Sequence, residues 1–520
     1  MIVDVRVHPD LLLDEGKLRG VAAREAHVKE RDVRGLRLLR RSIDARGAQV
    51  RIQARVELDL GEGLAPRPDA PVDLPALRGA PEVAIVGAGP TGLFCAWELA
   101  QHGIRSCIVE RGKAVRPRRR DLAALTRRGE LNPESNYGFG EGGAGTFSDG
   151  KLYTRAKKRG DTARILDAFV AYGAPQAIRV DARPHIGTNK LPGVIGAMRA
   201  HLESAGVEVL WETRAEGLRV EDGQVRGLRL AGGRTLEVRA VVVAPGHSAR
   251  DVQRWVREAG AEVVFKPFAI GVRVEHGQAF VDRLQFGELA GHPALGAAAY
   301  RLTLQAGGAG VFSFCMCPGG FVCPAATEAG GQVVNGWSPS KRSGRFANSG
   351  FVTEVGEAQL AAFGLDPADA FAGVALQRRL EAAAYAAGGG DYVAPAQRLG
   401  DFVAGRRSSG LPATSYPRPL ESARLDALLG PLSAPLRAAL TKVDRRMPGY
   451  AGSKADVDAV ALGVESRTSS PVRMVRDAET LEASGLRGLF PAGEGAGYAG
   501  GIMSAALDGI RVARALATAR

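Results

Sequence analysis

Residues 83–110 read VAIVGAGPTGLFCAWELAQHGIRSCIVE, and this stretch decides the fold. It begins as a short apolar strand, 83–86, and turns through Gly87, Gly89 and Gly92. Leu93, Ala96, Leu99 and Ala100 then fall at helical spacing, and 105–109 is a second strand that runs into an acid, Glu110. Each glycine has its own task. Gly87 permits the tight turn, Gly89 lets the backbone approach a pyrophosphate, and Gly92 lets helix and strand pack closely. The pyrophosphate would lie at the helix N-terminus, Pro90 and Thr91, where unpaired N–H groups and the helix dipole favour an anion. Glu110 stands about 20 residues on, where a carboxylate holds a ribose hydroxyl pair. It disfavours a 2′-phosphate, which points to FAD or NAD, with Arg111 keeping NADP open. The rival reading is a structural Gly-rich turn, and it gives no reason for strand, helix and acid to occur together.

The whole chain bounds the answer. Its 520 residues imply about two to four domains. With 45% hydrophobic and 24% charged residues it has a globular composition, and no apolar run reaches the ~18 residues of a membrane span. The first twenty residues carry acids and no cleavage signal, so no secretory peptide is expected. Five cysteines, odd in number and sparse, exclude a disulfide scaffold and make a reducing cytoplasm the expected compartment. The net charge of +13 permits an acidic partner without requiring one. Its densest run, RGKAVRPRRR at 111–120, reads as a solvated loop or as a source of one arginine for cofactor phosphates. Nucleic acid comes third, for want of zinc-finger spacing or aromatic-interleaved RNA motifs.

In chain order, residues 1–60 form a small α/β unit: a strand at 2–7, a helix at 10–27 with Asp10 as N-cap, a second helical stretch at 32–45, and an alternating strand at 49–60. This β-α-α-β pattern is expected to be a ferredoxin-like fragment. Residues 61–80, rich in Pro and Gly, are a linker. Residues 81–256 are the first part of the dinucleotide domain. They include the Gly-rich loop 136–155, where Gly142, Gly143, Gly145 and Thr146 are expected at the ligand unless the loop is merely a mobile surface turn. A hairpin is expected around Asp222-Gly223, and a buried strand at 238–243 runs into APGH, where Gly246 brings the chain back to the dinucleotide. Residues 257–445 change character and are expected to be an α+β substrate (cap) domain. Residues 446–520 return to the cofactor domain with a strand at 488–491, a Gly-rich turn at 493–501 and a last helix at 502–517. The fold class is therefore α/β: a discontinuous Rossmann-like domain with an inserted α+β domain and a small N-terminal unit.

Three separated stretches, GAGPTG with Glu110, APGHS at 244–248 and LFPAGEGAGYAGGIMSAALDG at 489–509, together resemble FAD-dependent oxidoreductases of the glutathione-reductase-like class. The resemblance implies that the first glycines hold the FAD pyrophosphate. It places Gly493 and Glu494 by the ribityl chain and phosphates, and it aims the last helix, at Gly500, Gly501 and Ile502, at the flavin ring. More closely, GEGGAGTFSDGKL, FCMCPGG, VESRTSSPVR and GEGAGYAGGIMSAALDG look like a family of bacterial predicted FAD-dependent dehydrogenases. That likeness covers nearly the whole chain, including RSIDAR at 41–46. It implies the fold and FAD and leaves the substrate unnamed. A second GxGxxG followed by a strand and a ribose acid is absent, so NAD(P)H is expected at most as a transient electron donor.

Four residues are the catalytic candidates. Cys315 and Cys317, with Cys323 nearby, could form a strained disulfide or relay electrons to the flavin; the bland reading is small buried side chains in a Gly/Pro-rich turn. Three cysteines are too few for an iron–sulfur site and lack histidines for zinc, so no metal is expected. Arg467 could bind a substrate carboxylate or the flavin carbonyl edge, or belong to a capped loop. His185, with Asn189 and Lys190, could supply an acid or base, or be structural. Lys341 and Arg342 could form an anion site or a surface loop. The expected function is hydride transfer between an unidentified small organic molecule and bound FAD. The alternatives are a thiol/disulfide-linked flavoprotein using Cys315 and Cys317, and a flavoprotein acting on or binding RNA.

Overall fold

The Val83–Val86 strand lies at the centre of a five-stranded parallel sheet, in the order Leu489–Pro491, Ala240–Val243, Val83–Val86, Ser106–Val109, Glu208–Leu210. The four residues of each of the three inner strands are buried, as parallel strands covered on both faces must be. Alternation sorts them. Val83 and Ile85 pack into one core with the helices Pro90–Gln101, Leu191–Ser204 and Ile502–Thr518. Ala84 and Val86 pack into another, with the Arg250–Glu258 helix and an antiparallel meander of Ala215–Glu221, Gln224–Leu230 and Thr235–Glu237. The expected hairpin turn is there, with Asp222 and Gly223 at φ 50° and 68°. The structure is a computed structural model that describes residues 1–47, 49–154, 160–454 and 457–518; Arg155, which closes the Gly-rich stretch 136–155, lies outside the described residues. No helix among the described residues is long and apolar enough to cross a membrane.

The inserted part is built on an eight-stranded mixed sheet. Its backbone order is Thr303–Ala306, Ala309–Pro324, Phe346–Val355, Phe268–Gly277, Ala459–Glu465, Ala394–Arg398, Leu420–Ser422, with Val334–Trp337 paired separately to Ala309–Pro324. Two expectations change here. The cysteine segment, read as a Gly/Pro-rich turn, is a strand of 16 residues. Its pairing with Phe346–Val355 slips between Phe314 and Cys317 and again before Gly320, so bulges absorb the residues that spoil its alternation. The boundary at 445/446 also falls too early. Ala459–Glu465 sits inside the large sheet, and the chain rejoins the parallel sheet only at Leu489–Pro491, after Val472–Met474 has paired with Val263–Phe265.

The N-terminal unit departs from its reading in one element. Residues 32–45, expected to be helical, hold the strand Gly35–Asp44 instead. Its register against Arg51–Asp59 shifts between Leu38 and Arg40, so Leu39 is a bulge that breaks the period-two pattern and imitates a helical one. The helical stretch 10–27 is two helices, Pro9–Leu12 and Glu15–Glu25, and the cap on the longer one is Asp14, which accepts from the Lys17 N–H at 3.0 Å, rather than Asp10. The strand order 2–7, 51–59, 35–44 and its antiparallel pairing are those of a ferredoxin-like fold without its last helix and strand.

Candidate active site

A cavity of about 390 Å³ opens at the carboxyl ends of the parallel strands and is walled on the far side by the 309–324 strand. Sequence-distant segments meet there. Gly87, Gly89, Pro90 and Thr91 line it from the first turn, Glu110 and Arg111 from the second strand, Gly143 and Gly145 from the Gly-rich loop, Gly246 from the third strand, and Glu494, Gly500, Gly501 and Ile502 from the C-terminal turn and helix. Gly92, Gly142, Thr146 and Gly493 stand behind this lining and shape it. A Cβ on Gly92 would lie 2.0 Å from the Gly87 carbonyl oxygen, and one on Gly493 2.2 Å from Thr91 Oγ1. Gly142, at φ 75°, leaves room for Thr146, whose hydroxyl donates to the Glu141 carbonyl at 2.8 Å.

The first turn separates two kinds of glycine. Gly87 has φ 105°, and a Cβ there would meet the Ala244 carbonyl oxygen at 2.4 Å. Gly89 has φ −77°, which any residue adopts, and an added Cβ would find nothing nearer than Gly143 Cα at 4.0 Å. Nothing in the protein therefore requires a glycine at 89. Gly500 likewise meets nothing within 4 Å. Both border the cavity, so the missing side chains leave a cradle that a bound group would fill. Glu110 is buried; its two oxygens accept from the Ala88, Gly112 and Gly140 N–H groups at 2.9, 2.8 and 3.0 Å, which aims the carboxylate along the cavity edge.

The basic run is ordered rather than a solvated loop, since most of it lies in the helix Val115–Arg128. Arg111 forks to Glu134 at 2.7 Å and Asp251 at 3.0 Å, over the Phe139 ring. Arg118 was not singled out by sequence reasoning. It is fully buried and donates to the carbonyls of Asn136, Tyr137, Glu141 and Gly143, stapling the Gly-rich loop into shape. Burial pulls its guanidinium down to about 10.

Arg467 lines the cavity but is held from behind. Its Nε and Nη2 donate to the two oxygens of Glu381 at 2.6 and 2.9 Å, and Nη1 donates to Ser248 Oγ at 3.0 Å. Glu381 also accepts from Arg250 and from Ser466. Burial pushes the Glu381 carboxyl up, but the two guanidinium groups hold it below its ordinary value. Ser248, accepting from Arg467, is 2.8 Å from Nδ1 of His247, a cavity residue that sequence reasoning quoted within APGHS without assigning it a task. Burial, then Arg467 and Arg250, lowers His247 to about 4, so its ring is neutral at pH 7, and the serine hydroxyl makes Nδ1 the acceptor.

Cys315 is half-buried and lines the cavity; Cys317 is fully buried behind it. Lys151 Nζ lies 3.7 Å from Cys315 Sγ and 3.5 Å from Cys317 Sγ. Lys151 is itself 3.3 Å from Asp149, which also takes Arg342 at 3.0 Å. Burial raises the Asp149 carboxyl, yet Lys151 and Arg342 bring it down to about 2. His185 is outside the cavity lining: its Nε2–H donates to the Ser340 carbonyl at 3.1 Å, beside an antiparallel bridge to Lys151. Asn189 Oδ1 also accepts from the Ser340 backbone N–H at 2.8 Å, so this pair fastens the loop that carries Lys341 and Arg342. At the other end, burial raises Glu494 to about 7, against the Lys266 ammonium.

Comparison with known proteins adds the lineage. Over 98% of this chain and 97% of its own length, an uncharacterized protein of Clostridium beijerinckii (strain ATCC 51743 / NCIMB 8052) is 37% identical. The chain belongs to that protein's family. Family models identify its parts: a FAD binding domain matches residues 80–127, the C-terminal domain-like part of a FAD-dependent protein matches 267–468, and a domain of unknown function matches 1–59. The protein is thus a FAD-binding flavoprotein of an oxidoreductase-like family, and the cradle at Gly89 and Gly500 fits that cofactor. A digeranylgeranylglycerophospholipid reductase of Methanosarcina mazei is 28% identical over 36% of this chain and 42% of its own. Glycine oxidase from Geobacillus kaustophilus is 14% identical over 84% of this chain and 95% of its own, at a TM-score of 0.35, too loose a superposition to carry an argument.

Proposed function

We propose that the protein is a flavoenzyme of the glutathione-reductase-like class that exchanges a hydride between a small organic substrate and FAD held in this cavity. The observation that carries the reading is the alignment of Glu110, Gly89 and the N-terminus of the Ile502–Thr518 helix along one continuous space closed by the second sheet. FAD, when bound, supplies two-electron chemistry at its ring system. The chain's own groups supply the rest. Gly89 and the N–H groups of the Pro90–Gln101 helix would hold the pyrophosphate, and Glu110 a ribose hydroxyl pair. The N–H groups at Gly500, Gly501 and Ile502 would stabilise negative charge beside them. Arg467, seated by Glu381, and His247, set in one tautomer through Ser248, would orient a substrate carbonyl or carboxylate. Phe314 and Ile502 would give the lining an apolar face beside the substrate.

An anaerobic absorption titration of the FAD-loaded protein with NADH, then NADPH, then a panel of organic acids, amines and alcohols tests this. Bleaching of the oxidised-flavin band by an organic compound supports the reading, and bleaching by NAD(P)H adds a transient donor to it. A protein that takes up no FAD, or a bound FAD that no compound in the panel reduces, overturns it.

A further inference from the structure

One wall of the cavity carries chemistry that hydride transfer to FAD does not use. Cys315 sits in the first bulge of the 309–324 strand, at φ 46°, a left-handed conformation that a side chain other than glycine's rarely takes. The bulge presents Cys315 to the cavity and leaves Cys317 buried behind it. One ammonium, Lys151, reaches both sulfurs. One guanidinium backs them: Arg273 Nη2 donates to the Cys315 carbonyl at 2.7 Å and to Cys317 Sγ at 3.4 Å, while Nη1 is paired with Glu465 at 2.9 Å. Two cations, the half-buried Lys151 and the fully buried Arg273, thus converge on two thiols.

We propose that Cys315 and Cys317 form a redox dithiol that exchanges two electrons with the FAD of the cavity, Cys315 being the cavity-facing nucleophile and Cys317 its partner. This rests on the placement of FAD given above. The Cys315 thiolate and the Cys317 thiol would become a disulfide: the Cys317 S–H bond breaks, an S–S bond forms, and two electrons and that proton pass to oxidised FAD, which stays bound as its reduced anion. The reverse step regenerates the thiolate and the thiol.

The electrostatics divide the labour. A hydrogen bond from Cys317 holds the Cys315 thiol well below its ordinary value against burial, with Lys151 and Arg273 adding to it. Cys317 has one S–H and two acceptors, the Cys315 carbonyl at 3.2 Å and the charged Cys315 sulfur, and burial pushes its own thiol well up. The charged groups facing the pair are Lys151 and Arg273 on one side and the carboxyls of Asp149, Glu465 and Glu494 on the other. Cys323 lines the same cavity, yet burial pushes it to about 12, so proximity to the cavity alone does not activate a thiol here.

Reductive titration of the FAD-loaded, mildly oxidised protein with dithionite, read by absorbance, is the test. About four electrons per FAD are expected for the wild type and about two for Cys315→Ser and Cys317→Ser, since the disulfide is a two-electron couple. About two electrons per FAD in the wild type overturns the dithiol, whereas a protein without bound FAD fails the cofactor placement instead. Iodoacetamide labelling followed by peptide mass spectrometry gives a second readout that needs no turnover and no variant of either cysteine. Cys315 should label at pH 7 while Cys95, Cys107 and Cys323 do not, and Lys151→Met should slow it about tenfold at pH 7, with the rate recovering at high pH. Equal labelling of Cys315 and Cys323, or no effect of Lys151→Met, overturns the assignment.

Discussion

The two walls of the cavity are made differently. The nucleotide wall comes from short apolar strands and the turns that follow them, and its ligand-facing groups are mainly backbone N–H and glycine Cα atoms. The chemical wall is a long bulged strand flanked by paired charges from neighbouring elements: the buried pairs Arg273 with Glu465 and Arg467 with Glu381, and the half-buried Lys151 with the buried Asp149. A backbone site tolerates no added atoms but carries little electrostatic strain. A site of buried ion pairs tolerates changes of shape but not the loss of one partner.

That contrast can be broken by substitution. The largest effect is expected at the nucleotide wall. Gly89→Val should abolish FAD retention while leaving the apoprotein folded, because its side chain meets open cavity; Gly92→Val should unfold the domain, because its Cβ would be 2.0 Å from a carbonyl oxygen. Flavin absorbance and circular dichroism separate the two, and a yellow Gly89→Val protein would remove the pyrophosphate from this turn.

On the chemical wall, Glu381→Ala strands Arg467 and Arg250 in a buried site, and a loss of about 3–5 kcal/mol in urea unfolding is expected. Less than about 1 kcal/mol would mean that water or a local rearrangement replaces the carboxylate. The smallest effect sharpens the comparison through pH. Burial raises Glu465 and Glu494 to about 7, so the folded apoprotein binds protons there that the unfolded chain has already released. Their contribution is full below the ordinary carboxylate range and is lost as pH rises through 7. His247 and His276, lowered to about 4, act in the opposite sense: the unfolded chain binds their protons between about 4 and 6.5, so stability rises with pH there. The two trends offset up to about pH 6.5, and above it a decline of about 1 kcal/mol toward pH 8 should appear in apoprotein melts and shrink in Glu494→Gln.

The same contrast decides what could be read from the chain. Gly87, Gly89, Gly92 and Glu110 lie within one βαβ unit, so their spacing alone announced the turn at Gly87, the close packing at Gly92 and an acid at the end of the second strand. Arg118 was hidden because a run of arginines looks solvated until one of them folds under a loop. Lys151 and Cys315 are 164 positions apart, and Arg273 and Glu465 are 192 apart, so no local pattern announces either pair. The strand at 35–44 was misread for the opposite reason: a bulge at Leu39 made a local pattern mislead.

The crossing of the Pro90–Gln101 and Ile502–Thr518 helices, with Gly509 seated on the Thr91 carbonyl, carries a consequence for biosynthesis. The edge strand Leu489–Pro491 and that final helix complete a sheet whose centre is made some four hundred residues earlier. A nascent chain on the ribosome therefore displays the Ala240–Val243 strand with one edge unpaired until Leu489–Pro491 has emerged. Capture of FAD in the proposed site should therefore follow the closing of the Ile502–Thr518 helix over the Pro90–Gln101 helix.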